Sequence, residues 1–149
     1  MEQQYTTLTK DINNIENKDA IVYAYIKSRM NYKTFIADNV TEKEISEKLG
    51  ISLSTVKRSV ARLKNNKNLI DKVIINNVIA EGSYKTYNKY YMAKCNENFF
   101  YIYNSFFNDD MNIAKASERT KLKNFLLKLK AICKKETNKY ISENPYLDG

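Results

Sequence analysis

The stretch ISLSTVKRSVARLKNNKNLI, residues 51–70, decides the fold of this chain. It contains five cationic side chains and no acidic one. The whole chain has twenty-one lysines and four arginines, and two of the arginines, Arg58 and Arg62, fall here, one helical turn apart. The question is what a lysine-rich chain gains by placing arginine at these two positions.

The stretch has the periodicity of a helix with one buried face. Val56, Val60 and Leu63 recur at i, i+4 and i+7 and are expected to face the core, with Leu53 beside them. At 100° per residue, the opposite face carries Ser54, Arg58, Ala61, Arg62 and Asn65, with Thr55 and Lys57 on its flanks. This face has no acidic residue, and it combines small side chains with long cationic donors. It is typical of a surface that binds a polyanion.

The segment before this helix, VTEKEISEKLG, has clear start and stop signals. Thr41 and Glu44 have the spacing of a capping box. In this motif the threonine hydroxyl accepts from the backbone amide of Glu44, and the glutamate carboxylate accepts from the backbone amide of Thr41. Gly50 suits the left-handed residue that ends a helix. Ser52 then caps the next helix, so a turn of about three residues joins the two helices into a helix–turn–helix corner.

The segment after the helix predicts a β-hairpin. Asn68 is expected to close the helix in a left-handed conformation. DKVIINNVIA and YNKYYMAK are β-prone runs separated by the turn-forming EGSYKT. In the second run Asn88, Tyr90 and Met92 share one face. The hairpin would hold Tyr84, Lys85 and Lys89 near its tip.

Upstream, KDAIVYAYIKSRMNYK predicts an amphipathic helix capped by Asp19. Its apolar stripe is Ile21, Val22, Tyr25, Ile26 and Met30. TFIADNV, which follows, is β-prone and indicates a short strand. Residues 1–18 form a polar lead-in, for which a short helix and a dimer arm are both open interpretations.

The last third of the chain is expected to be helical. Residues 99–107 are dense in aromatics, and a helix over 117–135 has an apolar stripe at Leu122, Phe125, Leu126, Leu129, Ile132 and Cys133. The stripe and the aromatics predict either a dimer interface or packing on the preceding domain. The lysine-rich opposite face is either solvated or a second phosphate-binding strip. This helix, followed by the tail NKYISENPYLDG, also fits the start of a second, incomplete unit of the same helix–turn–helix type.

Composition narrows the function classes. The net charge is +8, and residues 51–100 hold 9 Lys and Arg against 3 Asp and Glu. The chain has no histidine, so the usual catalytic bases and zinc ligands are missing, and we expect neither an enzyme nor a cofactor. Cys95 and Cys133 fit small core residues in a reducing cytoplasm. No apolar run approaches the roughly 20 residues of a membrane span.

The order helix, strand, capped helix, short turn, basic helix and hairpin resembles the winged helix-turn-helix superfamily. LGISLSTVKRSVARLKNNKNLI is similar to the family's pattern of Leu-Gly-Ile-Ser, Thr-Val, a basic residue, Leu and Gly-Leu-Ile, with Asn68 at the usual glycine. YNKYYM resembles the returning strand of the wing. The resemblance covers about residues 19–95. It implies a mainly α fold with a small β-hairpin wing, followed by C-terminal helices.

The resemblance also implies which residues touch DNA. The recognition helix would contribute Ser54, Thr55, Lys57, Arg58, Arg62 and Asn65. Thr41, Ser52 and Lys64 would contact the backbone, and the wing would add Tyr84, Lys85 and Lys89. We accordingly expect an arm or short helix over 1–18, a winged helix over 19–96, and a helical region over 97–149 for dimerisation or protein partners.

Three functions fit this organisation. The first is a sequence-specific double-stranded DNA-binding regulator of transcription in a phage, plasmid or other mobile element. The second is a replication-initiation, partition or conjugative-transfer factor that binds DNA in the same way. The third is a winged-helix interaction module that does not bind DNA. The acid-free face of residues 51–70 favours the first two over the third.

Overall fold

A computed structural model of the protein describes residues 5–15, 17–80, 83–94, 99–109 and 111–132. The strands are β1 (Tyr5–Thr9), β2 (Ile36–Val40), β3 (Ile70–Ala80), β4 (Ser83–Met92) and β5 (Phe99–Tyr103). The helices are α1 (Asn17–Ser28), α2 (Glu42–Leu49), α3 (Leu53–Leu63) and α4 (Ala116–Ala131), with 3-10 turns at Lys10–Asn14 and Asn104–Asn108. The expectation of two core cysteines, Cys95 and Cys133, falls outside the described residues, as does everything predicted beyond residue 132.

Helix α1 is the centre of the molecule. Every residue from 20 to 27 is buried, as is Asp19, so that two charged side chains, Asp19 and Lys27, lie in the interior. The helix packs against α2, α3, α4, β1 and β2. The predicted stripe is buried as expected, but the amphipathic interpretation was wrong because α1 is surrounded on all sides. Asp19 does not cap the helix either, since α1 begins two residues earlier at Asn17.

A three-stranded antiparallel sheet of order β2-β4-β3 lies beside the helices. The predicted strands and hairpin are confirmed. The register runs from Ile70 opposite Met92 to Ala80 opposite Ser83, with an irregularity near Lys72. Asn88, Tyr90 and Met92 turn their shared face inward and are buried. The hairpin is longer than the sequence indicates, because pairing continues through Tyr84 and Lys85 to Ser83.

The N-terminal segment and the aromatic run form a second, two-stranded sheet. β1 pairs antiparallel with β5, so that Tyr5 lies opposite Tyr103 and Leu8 opposite Phe100. Leu8, Ile12 and Phe100 are in the core. The expectation that the last third is helical was therefore wrong for residues 99–103, because alternate residues of this run, Phe100 and Ile102, are buried with period two.

Helix α4 buries the face opposite to the one predicted to be buried. Its buried positions are Thr120, Lys123, Asn124, Leu127 and Ala131, whereas Phe125 and Ile132 are 60% and 53% exposed. Polar groups fix this orientation: the side chain of Asn124 accepts from the amide of Ile21 at 3.2 Å, and Thr120 donates to the carbonyl of Leu49. The stripe predicted from hydrophobicity is thus directed away from α1.

Candidate DNA-binding surface

Two hydroxyl caps and one glycine hold α2 and α3 at a fixed corner. Thr41 accepts from the amide of Glu44 at 2.9 Å, and Ser52 accepts from that of Thr55 at 3.2 Å. Gly50 has φ +66°, the left-handed conformation predicted for it. A Cβ added to Gly50 would overlap the Cβ of Ala116, so α4 also packs directly on this turn.

The reciprocal half of the predicted capping box does not form. The carboxylate of Glu44 instead accepts from the hydroxyl of Tyr25 at 2.6 Å and pairs with Arg29. Burial, followed by the hydrogen bond to Glu44, raises the pKa of Tyr25 to about 12. Sequence reasoning missed this cluster because its members come from two helices that periodicity alone does not bring together.

The outward face of α3 is polar and cationic, as predicted. Ser54, Lys57, Arg58 and Ala61 are exposed, and Val56, Val60 and Leu63 are buried. One position differs from the prediction, because Leu53 is 42% exposed; Ser59, for which no face was predicted, is fully buried. Leu53 opens the helix beside the exposed caps, and the small Ser59 lies on the core face where α3 packs against α1.

A chain of hydroxyl contacts leads from the cap to Arg58. The hydroxyls of Ser52 and Thr55 are 2.7 Å apart, and those of Ser52 and Ser54 are 3.3 Å apart. The Nη2 of Arg58 donates to the Thr55 hydroxyl at 3.4 Å, a long and therefore weak bond. Arg58 is thus exposed and only loosely held, which leaves its guanidinium available to an external acceptor.

Lys57 is paired within the protein. Its Nζ lies 2.8 Å from Oε1 of Glu42, in the first turn of α2. The lysine side chain is 59% exposed and the glutamate 23%, so solvent limits the energetic value of the pair. The pair links the starts of the two helices, and an approaching phosphate would have to compete with Glu42 for Lys57.

Arg62 is exposed like Arg58, but its guanidinium pairs with a buried carboxylate of α1. Its Nε and Nη2 donate to the two carboxylate oxygens of Asp19 at 2.8 and 2.9 Å. The side chain of Asp19 is only 3% exposed, and a buried carboxylate requires a partner of this kind. Arg62 is exposed, as predicted, and the sequence did not reveal its ion pair with Asp19, because the two residues are 43 positions apart in the chain.

The end of α3 also differs from the prediction. The helix ends at Leu63, with Lys64 as its right-handed C-cap, so Asn65 lies in the following turn and is exposed. Asn68 does not have the positive φ of the left-handed conformation that was predicted for it. Asn66 closes the turn instead: its side chain accepts from the amide of Asn68 at 3.1 Å, and its carbonyl accepts from Leu69 and Ile70.

The hairpin positions its predicted residues unequally. Tyr84 and Lys85 lie opposite Ile79 and Val78 near the turn, where only the backbone belongs to the described part. Lys89 lies opposite Ile74, well away from the tip, which corrects its expected position. Its Nζ is 5.7 Å from the ring centroid of Tyr91, and Lys72 approaches the same ring at 4.6 Å.

Lys72 was not predicted as a wing residue from the sequence. Its position beside Tyr91 follows from the strand register, which is not evident from the sequence. In that register Lys72, Lys89 and Tyr91 share one face of the hairpin. On the opposite face, burial raises the pKa of Tyr90 to about 12. Within the described ranges, no cluster of three His, Cys, Asp or Glu side chains could hold a metal ion.

Residues 38–66, which run from β2 through α2 and α3, match the model of the winged helix-turn-helix DNA-binding family. The chain carries a winged helix-turn-helix domain. Comparisons with curated proteins and with solved structures gave no significant match. In this winged helix, α1 to α3 form the helical core and β2, β3 and β4 form the sheet, with β3 and β4 as the wing.

The winged helix is a DNA-binding domain, so double-stranded DNA is the partner that the family match supports. Its α3 occupies the position of the recognition helix. Among the helices that the structure describes, none is both long enough and apolar enough to cross a membrane.

Proposed function

We propose that the protein is a sequence-specific double-stranded DNA-binding regulator of a phage, plasmid or other mobile element. In this proposal α3 enters the major groove and the β3–β4 hairpin lies against the adjacent backbone. The observation that carries the proposal is the outward face of α3, where Ser54, Lys57 and Arg58 are exposed and no acidic side chain occurs along the helix.

Arg58 is the residue that we assign to base recognition. It is exposed, and its one side-chain hydrogen bond within the described ranges is the long bond to Thr55. An arginine in the major groove can donate two parallel hydrogen bonds to O6 and N7 of guanine, whereas lysine lacks this fork. Ser54 and Ala61 flank Arg58 on the same face, and their small side chains allow the helix to approach the bases closely.

We assign the other predicted residues to different roles. Lys57, Lys64 and Asn65 are proposed phosphate contacts, and Thr41 and Ser52 present helix N-termini to the backbone. Thr55 orients Arg58 through its hydroxyl. Arg62 is proposed to hold α3 against α1, because both of its bonds to Asp19 point into the protein.

The wing is proposed to contact DNA through Lys85 and Tyr84, with Lys72 and Lys89 contributing positive charge nearer the base of the hairpin. Replacing Lys85 with alanine should weaken binding equally on all sequences. It should also reduce the slope of log affinity against log salt by about 0.9, the contribution of one phosphate contact. An unchanged salt slope would remove Lys85 from the interface.

We further propose that the regulator binds as a homodimer through the outward face of α4. Phe125 and Ile132 are 60% and 53% exposed, although α4 as a whole is packed on α1. On another side of α4, a groove of about 700 Å³ has Tyr5, Tyr101 and Leu126 among its lining residues. A two-fold axis through this face would match a palindromic DNA site.

Selection of bound duplexes from a random library tests the proposal most directly. We expect a palindromic motif with a guanine at the position read by Arg58. Mapping that motif to a promoter would support transcription control, whereas an iterated array at an origin would favour the replication, partition or transfer role. Recovery of no enriched sequence would contradict sequence-specific binding.

A further inference from the structure

A broad cleft lies outside the proposed duplex-binding face, since none of its described lining residues belongs to α3 or to the hairpin. It has a volume of about 1200 Å³ and lies between the end of α1, the turn that follows, and the 3-10 turn at Asn104–Asn108. Its principal lining side chains are Arg29, Asn31, Tyr32, Lys33, Lys48 and Tyr103. Its size exceeds what a single amino acid or inorganic ion needs.

The charged side chains that line the described part of the cleft are all cationic. Arg29, Lys33 and Lys48 line it, and its described lining includes no carboxylate. Arg29 pairs with Glu44, which lies outside this lining, and a guanidinium has five donors, so Arg29 retains capacity for a second anion. Lys48 is held at the cleft by donating to the side-chain oxygen of Asn108. The three cations thus favour an anionic ligand such as a phosphate.

Aromatic rings flank these cations. Tyr103 is 71% exposed and Tyr32 is 60% exposed, although both rings line the cleft. The Nζ of Lys33 lies 5.8 Å from the ring centroid of Tyr32, so a phosphate-binding charge and a stacking surface are adjacent. Exposed tyrosine rings beside cations are the combination that binds bases and phosphates together. The side chains of Asn31 and Asn108 add amide groups that can bond base edges.

We infer that this cleft binds a nucleotide unit, with the phosphate on Lys33, Lys48 and Arg29 and the base stacked on Tyr103, the more exposed of the two rings. The unit is either a free nucleotide or part of a single strand, since the two share this chemistry. The site is separate from the duplex-binding face of α3, so a regulator with its duplex bound could still accept this second ligand.

Fluorescence anisotropy tests the inference. It measures the affinity of the full chain for fluorescein-labelled oligothymidylates of three to twelve nucleotides. Tyr103→Ala should weaken binding roughly 5- to 150-fold, the range for removing one stacked base, and Tyr103→Phe should restore it. Lys33→Gln/Lys48→Gln should lower the salt slope by about 0.7 for each phosphate that is no longer neutralised. Lys115→Gln/Lys121→Gln, which removes two exposed lysines at the start of α4 outside the cleft, is the matched control.

Competition with nucleoside monophosphates distinguishes the two sources of the ligand. Displacement by a millimolar mononucleotide, with no gain in affinity for longer oligomers, identifies a free nucleotide; affinity that rises with length identifies a strand. In either case duplex binding should be unchanged in the cleft variants. The inference is overturned if neither ligand binds, or if Arg58→Ala abolishes single-strand binding while the cleft variants leave it intact.

Discussion

Arg62 of α3 and Asp19 of α1 form a two-point ion pair, with Nε and Nη2 of the guanidinium 2.8 and 2.9 Å from the two carboxylate oxygens. The pair joins α3 to α1, the central helix of the winged helix. It also distinguishes two exposed arginines one turn apart, because Arg58 has no comparable partner in the described part of the chain.

Replacing Arg62 with methionine should destabilise the fold. The variant keeps the apolar stem but leaves the carboxylate of Asp19 buried without its ion-pair partner, which should cost roughly 2–4 kcal/mol of unfolding free energy, less than for a fully buried pair. Asp19→Asn should cost less, since the half-exposed guanidinium can be solvated. Urea denaturation of both variants and of the double variant measures their coupling. Equal costs for the two single variants would contradict the asymmetry.

Arg58→Ala should affect DNA binding and leave the stability of the fold nearly unchanged. Stability should change by less than about 0.5 kcal/mol, as is usual for an exposed side chain, whereas binding to the preferred site should weaken by about 1–3 kcal/mol with relaxed preference at one base pair. Arg58→Lys preserves the charge and should keep the salt dependence but not the preference. If specificity is unchanged in both variants, Arg58 contacts a phosphate or nothing.

Gly50 combines a conformational and a steric requirement. Gly50→Ala places a Cβ at φ +66° and in overlap with the Ala116 Cβ, so we expect a decrease of roughly 1–2 kcal/mol in unfolding free energy from the left-handed backbone alone and more from the overlap. Adding Ala116→Gly should remove the overlap and recover the steric part of the loss in unfolding free energy. The part due to the left-handed backbone should remain. Thermal unfolding of the two single variants and the double variant separates the two. Additive effects would mean that α4 does not press on the turn.

The helix–turn–helix was predictable from sequence because its signals are local. Thr41, Gly50 and Ser52 act within four residues of their own positions, and Val56, Val60 and Leu63 follow the 3.6-residue period of one helix. The strands of the hairpin were predictable for the same reason. Their register was not, and this is why Lys89 was placed near the tip.

Contacts between distant elements were not predictable. The partner of Arg62 is 43 residues away in the chain, and that of the Ile21 amide is 103 residues away. Helix α4 illustrates the consequence: its hydrophobic stripe indicated the wrong buried face because Thr120 and Asn124 bind backbone groups of other helices. The β1–β5 pairing likewise joins segments that are distant in the chain, since Tyr5 lies opposite Tyr103.

The outward face of α4 should control self-association. Phe125→Asp introduces a charge at the centre of the exposed stripe and should convert a dimer to a monomer in light scattering at tens of micromolar protein. Ile75→Asp is the matched control, since Ile75 is also 60% exposed but lies on the hairpin. A monomeric wild-type protein would contradict the dimer, and equal effects of the two substitutions would move the interface away from α4.

Stability should fall at alkaline pH partly because of Tyr25. Its pKa is about 12 in the folded protein because of burial and its bond to Glu44, against about 10 in an unfolded chain. Between these values the unfolded chain binds fewer protons than the folded one, so the free energy of unfolding decreases by up to about 1.4 kcal/mol per pH unit for this group. Tyr25→Phe cannot ionise, so its deficit in unfolding free energy relative to wild type should shrink between pH 10 and pH 12. Urea denaturation at several pH values measures this difference, with Tyr32→Phe as the control for removal of a surface phenol. A constant deficit across the range would show that Tyr25 ionises alike in both states.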